Sequence, residues 1–231
     1  MTAPRRQGAG RRDGMLLAID GPDGAGKSTQ VALLADWLAE HGVRCEVVSK
    51  WQVFDPERHP ECRFLRGTDR AELRGCVAAM PSPARAMFVL WLYAQAAARA
   101  QRLAADAVVL VDGYWMKHAA AEVAYGADPA LVEALVAALP PVDAVFYLDV
   151  DPAEALRRRQ GELTPYECGL DPGLDPHRFL LSQHAIRAVL ADRAGREGWH
   201  TVPAGPVEQM QAALRDRVWT VLAPALVGAD G

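Results

Sequence analysis

The 231-residue chain has no apolar run approaching the roughly 20 residues needed to cross a bilayer, so no membrane partner is expected. It also lacks a secretory signal. Met1 to Gly14 carries Arg5, Arg6, Arg11 and Arg12 without an apolar segment, and reads as a disordered basic tail over residues 1–14. Charge of one sign is not in excess: the formal net charge is −4, which argues against a nucleic-acid coat, and no nucleic-acid partner is expected. Cysteine is sparse. Cys45, Cys62, Cys76 and Cys168 show neither metal-ligand spacing nor evident pairing, as expected of reduced thiols in a cytoplasmic protein. His59 close to Cys62 suggests half of a zinc clip, but no second pair completes it. Internal repeats and linkers are missing too, so residues 15–231 read as one domain, long enough for a sizeable core. Hydrophobic residues at 51% and charged residues at 23% are ordinary for a soluble globular chain.

What is present alternates. Apolar runs with strand character stand at Met15–Ile19, Val43–Val48, Val108–Val111, Val142–Val150 and Trp199–Val202. Helical patterns separate them, which predicts an α/β fold: three layers, with a parallel five-stranded sheet covered on both faces. Val31, Leu34, Trp37 and Leu38 recur at helical spacing in Ser28–Glu40, which stops at Gly42. Pro83–Leu103 is predicted as a long Ala-rich helix with Met87, Leu90, Trp91, Ala94 and Ala98 on its apolar face; that face suits the core, an acceptor pocket or a dimer seam. Further helices are expected over Asp128–Leu139, Pro152–Arg159, Pro176–Arg196 and Val207–Leu222. Gly161–Asp175, rich in Gly, Pro and Asp, reads as a mobile loop, so a lid is placed at about 157–176.

The most specific signal follows the first strand. Gly21-Pro22-Asp23-Gly24-Ala25-Gly26-Lys27-Ser28 is a G-x-x-x-x-G-K-S phosphate loop between a strand and a helix. Its glycines let backbone N–H groups form an anion-binding nest, and the helix adds the positive end of its dipole. Lys27 supplies a charge for the β- and γ-phosphates of ATP, and Ser28 a hydroxyl for Mg²⁺. Asp23, Ala25 and Thr29 complete the set of candidate nucleotide-binding residues with Gly21, Gly24 and Gly26. Val108–Val111 ends in Asp112. An acid there either organises Mg²⁺, the favoured reading beside a phosphate loop, or caps the next turn. Asp151-Pro152 is a helix start. Arg157, Arg158 and Arg159 close a helix beside the lid, where cations suit any helix C-terminus. Phosphoryl transfer also needs positive charge near the moving group, and Arg158 and Arg159 are the catalytic candidates, with no preference between them.

From Met15 to about Leu222 the order of parts resembles the thymidylate kinase family, a group of P-loop nucleoside monophosphate kinases. The resemblance rests on Ile19-Asp20-Gly21 through Thr29-Gln30, on Leu148-Asp149-Val150-Asp151-Pro152 through Arg159, and on Gly161-Glu162-Leu163 in the lid. It implies that Asp23 contacts the acceptor sugar and that the catalytic arginine comes from the lid, because Gly24 follows Asp23. It also implies that the backbone of Ala204 borders adenine, and that the protein is a homodimer packed through helices. The departures lie on the acceptor side. Asp112-Gly113-Tyr114 lacks the family's arginine after the third strand; Tyr114 remains, and Lys117 one turn on is a partial replacement. A lysine there is a point charge and lacks the bidentate fork. Ser49-Lys50-Trp51-Gln52 stands where a phosphate-gripping turn is usual, with Lys50 and Arg58 as substitutes. On the long helix the base-stacking aromatic is Trp91 with Gln95, or Phe88 with Leu92 in the other register, and neither has the family's arginine four residues on.

Three functions follow from this pattern. The first is an ATP·Mg²⁺-dependent phosphotransferase acting on a small phosphate acceptor, a dTMP-like nucleoside monophosphate with altered specificity. The second is a kinase of a nucleoside or other neutral metabolite, with Asp55, Glu57 or Asp112 as base. The third is a nucleotide-binding regulatory protein without transfer activity. No Asn-Lys-x-Asp guanine signature is present.

Overall fold

The computed structural model describes residues 14–159 and 161–227; apart from Gly14 the expected basic tail lies outside them, as does Gln160 in the lid. The strands are β1 (Leu16–Asp20), β2 (Cys45–Val48), β3 (Val108–Asp112), β4 (Ala144–Asp149) and β5 (His200–Pro203). They form one parallel sheet in the order β2-β3-β1-β4-β5. Parallel neighbours need crossovers, and these are supplied by α1 (Lys27–Glu40), α2 (Arg70–Ala79), α3 (Ser82–Leu103), α4 (Trp115–Ala124), α5 (Pro129–Ala137), α6 (Pro152–Arg159) and α7 (Pro176–Glu197), with α8 (Val207–Val227) following the last strand.

Period-two alternation divides the core. Leu16, Ala18, Val109, Val111, Val145 and Tyr147 point to one face, where α3, α4, α5 and part of α7 pack. Leu17, Ile19, Leu110, Phe146 and Leu148 point to the other, against α1 and α8. Burial on both faces is why these strands read as unbroken apolar runs. Asp128 and Asp175 cap α5 and α7 through their carboxylates, accepting from Ala130 and His177 N–H at 2.9 Å each, and Asp151 likewise accepts from Ala153.

The long helix corrects one expectation. Its buried face is Ala86, Val89, Leu90, Tyr93, Ala96, Ala97 and Ala100, whereas Met87 is exposed and Trp91, Ala94 and Ala98 are only half-buried. Alanine satisfies any stripe, so periodicity alone did not choose the face. Three features were not anticipated: α2, whose start is nonetheless marked by Asp69 with Glu72 three residues on, and short 3₁₀ segments at Lys50–Phe54 and Pro60–Leu65 that carry the chain from β2 to it. Residues 161–175 form turns. Tyr166 and Cys168 are nonetheless buried, and Asp171 accepts from Gly173 and Asp175 N–H at 3.0 and 3.2 Å.

Candidate active site

At the C-terminal edge of the sheet a cavity of ≈ 1080 Å³ runs from the phosphate loop towards α2 and α3. This edge is where an open parallel sheet places its ligands. The phosphate loop is held by close backbone approach. Gly24 has φ +79°, and a β-carbon on it would lie 2.8 Å from the Ala155 carbonyl oxygen of α6. Gly26, at φ +88°, begins α1. The Lys27 ammonium donates to the Gly21 and Pro22 carbonyls, both at 2.8 Å. Burial pulls its pKa down, against the opposing carboxylates of Asp23, Asp20 and Asp112.

Two acids from neighbouring strands flank this lysine. Asp112, at the end of β3, lines the cavity with Ser28. Gly113 follows it at φ +71°, and a β-carbon there would lie 3.8 Å from the Lys27 Cε. Asp20, at the end of β1, is fully buried and accepts from the N–H of Gly21 at 2.6 Å and of Tyr114 at 3.1 Å. Burial raises its pKa although Lys27 opposes the shift. Asp20 is a site residue that the sequence reading quoted only as part of the motif; its place beside the first glycine was the available signal.

Asp23 and Lys117 form a nearly buried pair at 3.0 and 3.1 Å, with the Gln183 amide donating to Asp23 at 3.3 Å. Burial alone would raise the Asp23 carboxyl, but the Lys117 and Lys27 ammonium groups hold it down at about 2. Lys117 also stands 5.3 Å from the Tyr166 ring centre. Gln183 on α7 has no motif around it, and nothing in the sequence singled it out.

The arginines separate as the helix turns. Arg157 faces solvent and pairs with Glu154. Arg158 pairs with Glu154 at 2.9 Å and donates to the Gly205 carbonyl at 3.1 Å, near Ala204 and Met210 at the cavity's nucleotide end. Arg159 donates to both Glu167 oxygens, at 2.6 and 2.5 Å, and so ties α6 to the lid. Burial raises the Glu167 carboxyl, as does Asp23, against Arg159.

At the other end the cavity is lined by Lys50, Trp51, Arg74, Val89, Leu92 and Tyr93. Here several expected acceptor residues are displaced. Phe88, Trp91 and Gln95 do not line the cavity; one helical position on, Val89, Leu92 and Tyr93 do. Phe88 and Trp91 stack on each other at 6.3 Å, and Trp91 packs on exposed Phe64 at 5.8 Å. Arg58 is turned away, paired with Asp55 at 3.1 Å on the surface, so neither lines the cavity; nor does Glu57. Tyr114 is a core residue whose hydroxyl donates to the Pro140 carbonyl at 2.8 Å. Arg74, from the unforeseen α2, sits 5.0 Å over the Trp51 ring. His59, Glu61 and Cys62 do come together, with ligand atoms within 4.8 Å, but outside this cavity.

Among known proteins, the chain is 36% identical to the thymidylate kinase of Akkermansia muciniphila over 196 residues, 81% of this chain and 88% of that protein. It is 29% identical to the probable thymidylate kinase of Archaeoglobus fulgidus over 159 residues, 66% of this chain and 74% of that one. No family model matches. Identity of that extent along most of the first relative, on a parallel sheet whose phosphate loop opens into a cavity, means that this chain belongs to the thymidylate kinase family and is a nucleotide kinase.

Proposed function

We propose that this kinase moves the γ-phosphoryl group of ATP to a nucleoside monophosphate that it recognises differently from dTMP. The carrying observation is the cavity itself: it joins the phosphate loop to a second end where Lys50, Lys117 and Arg74 stand. An oxygen of the acceptor phosphate attacks the γ-phosphorus, its new P–O bond forms as the bond to the β-phosphate oxygen breaks, and ADP leaves. That oxygen is already anionic, so no general base is needed. Lys27 exchanges two carbonyl partners for phosphate oxygens. Arg159, held by Glu167, whose carboxyl in turn interacts with Asp23 and Lys117, fits the moving group, and Arg158 fits the nucleotide end. Ser28 and Asp112 offer hard oxygen donors on the same wall as Lys27, a donor set suited to Mg²⁺, which supplies charge neutralisation when bound. Tyr166 and Cys168 anchor the lid segment, whose closing would keep water from the transfer.

The protein acts in the cytoplasm, in keeping with its free cysteines, and no described helix is long and apolar enough to cross a membrane. A homodimer would cover the outer face of α3, where Met87 is 48% exposed and Trp91 carries Phe64, itself 70% exposed. A specific observation favours a neutral acceptor as second reading: Asp23 and Glu167 already neutralise Lys117 and Arg159. Of the three bases that reading invokes, only Asp112 lines the cavity. Assaying ADP release with matched nucleosides and nucleoside 5′-monophosphates decides between them. Turnover confined to the monophosphates is expected; turnover of the nucleosides instead refutes the proposal.

A further inference from the structure

Lys50, like Lys27 and Arg74, stands apart from the three ion-paired cations of the cavity. Lys117, Arg158 and Arg159 each have a carboxylate within 3.1 Å, whereas among the described residues Lys50 has none within salt-bridge distance. Its ammonium stands 5.0 Å from the Tyr93 ring centre, 5.2 Å from that of Trp51, and 2.7 Å from Nε2 of His118. We propose that His118 is a positioning residue for phosphoryl transfer, its Nε2 accepting from Lys50 and so holding the ammonium for the acceptor's phosphate. This rests on the reading that the acceptor carries one.

A charged Lys50 sets the tautomer. Lys50 donates, so Nε2 must carry the lone pair and Nδ1 the proton, which goes to the Tyr93 hydroxyl oxygen at 2.8 Å. A proton on Nε2 would face the ammonium hydrogens. Burial, and then the positive charges of Lys117, Lys50 and Lys27, press the His118 pKa well below its usual value and keep the ring a neutral acceptor. Burial also pulls down Lys50, with Lys117 adding to the effect and Asp23 opposing it; an anionic phosphate beside it would favour the ammonium form further.

The ring is held from outside the site as well. His118 stacks on Tyr166 of the lid segment at 5.4 Å, and Tyr166 donates to Glu122 at 2.9 Å while its carbonyl accepts from the Tyr125 hydroxyl at 2.7 Å. Glu122 is anchored in turn by Arg85 at 3.0 Å. Lys50 therefore takes its direction from α3, α4 and the lid together. Its remaining two N–H bonds are free for oxygen ligands in the cavity.

His118→Phe keeps a flat ring for Tyr166 and removes the acceptor. With whichever of dTMP, dUMP, dCMP and dGMP the wild type turns over fastest as probe, the variant is expected to raise acceptor KM about 10- to 100-fold, the usual effect of losing a hydrogen bond to a charged group, with the ATP KM unchanged. Lys50→Met should do the same, and the double variant should be no worse than Lys50→Met alone. His118→Gln, whose amide oxygen can accept from Lys50, should recover part of the loss. Multiplying single effects, or an unchanged acceptor KM in His118→Phe, would overturn the assignment. Nitrogen-15 spectra of the imidazole provide a reading independent of any acceptor: a neutral Nδ1–H ring is expected in the wild type, and an Nε2–H ring overturns the proposal. A wild type that turns over no monophosphate refutes the proposed function instead, and the tautomer then decides the His118–Lys50 contact alone.

Discussion

Removing one member of the Asp23–Lys117 pair tests the electrostatic account of the site most directly. Their side chains are 14% and 7% exposed, so neither charge is well hydrated. Asp23→Asn leaves the Lys117 ammonium with the Tyr166 ring and the unpaired influence of Asp20 and Glu167, and a buried charge that has lost its partner costs about 3–5 kcal/mol. Lys117→Met leaves Asp23 with Gln183 and with Lys27, which lowers its pKa, so its cost should be smaller. In the double variant neither charge remains, and the loss should fall short of the sum of the single losses by about 1–3 kcal/mol. Acidity gives a second reading of the same pair. The folded-state pKa of Asp23 is depressed from 3.8 to about 2, so its stabilisation is present above pH ~4 and disappears as pH falls towards ~2. At ~1.4 kcal/mol per unit this amounts to about 2 kcal/mol, and the Asn variant should lack that part of the acid dependence. Urea unfolding of the four proteins from neutral pH to pH 2 measures both effects. Single losses that add to within ~0.5 kcal/mol, with parallel acid curves, would refute a coupled buried pair.

Other substitutions test the phosphate end. Lys27→Ala should lower the single-turnover rate by about 10²–10³ with an unchanged circular dichroism spectrum; near-normal turnover would dismiss the phosphate loop as the site. Arg157→Ala should leave kinetics alone, since that side chain faces solvent, whereas Arg159→Ala should lower kcat by about 10² and Arg158→Ala should mainly raise the ATP KM. Gly24→Ala combines a left-handed backbone with a 2.8 Å approach to the Ala155 carbonyl, so ATP affinity measured by calorimetry should fall at least tenfold. Gly113→Arg should raise dTMP turnover while lowering thermal stability by the ~1–2 kcal/mol of a side chain at φ +71°. No gain in turnover would show that position 113 does not set acceptor choice.

The nucleotide end was legible in the sequence for a physical reason. A backbone nest needs glycine at fixed offsets, and a strand buried on both faces writes itself as an apolar run, so Leu16–Asp20 and the loop after it identify each other. Asp112 was found in the same way, as a carboxylate ending such a run. The arginines were narrowed to two by helix geometry, but which one reaches the transfer point depends on the partners Gly205 and Glu167, far along the chain or across a turn.

The acceptor end obeys no such local rule. Its wall comes from α2, the 3₁₀ segment at Lys50–Phe54 and one face of α3, and that face is chosen by which alanines meet the sheet. Both stripes of Ser82–Leu103 are apolar enough to be core, so the aromatics chosen by resemblance, Phe88 and Trp91, fall on the outer stripe while Tyr93 takes the inner one. The guanidinium at that end of the cavity is Arg74, carried by α2. The lining of this end therefore comes from side chains on different elements, whereas the phosphate loop is one continuous segment. The two ends of the cavity meet at the ion pair between Asp23 of the phosphate loop and Lys117 of α4, so a change at either residue is felt by both.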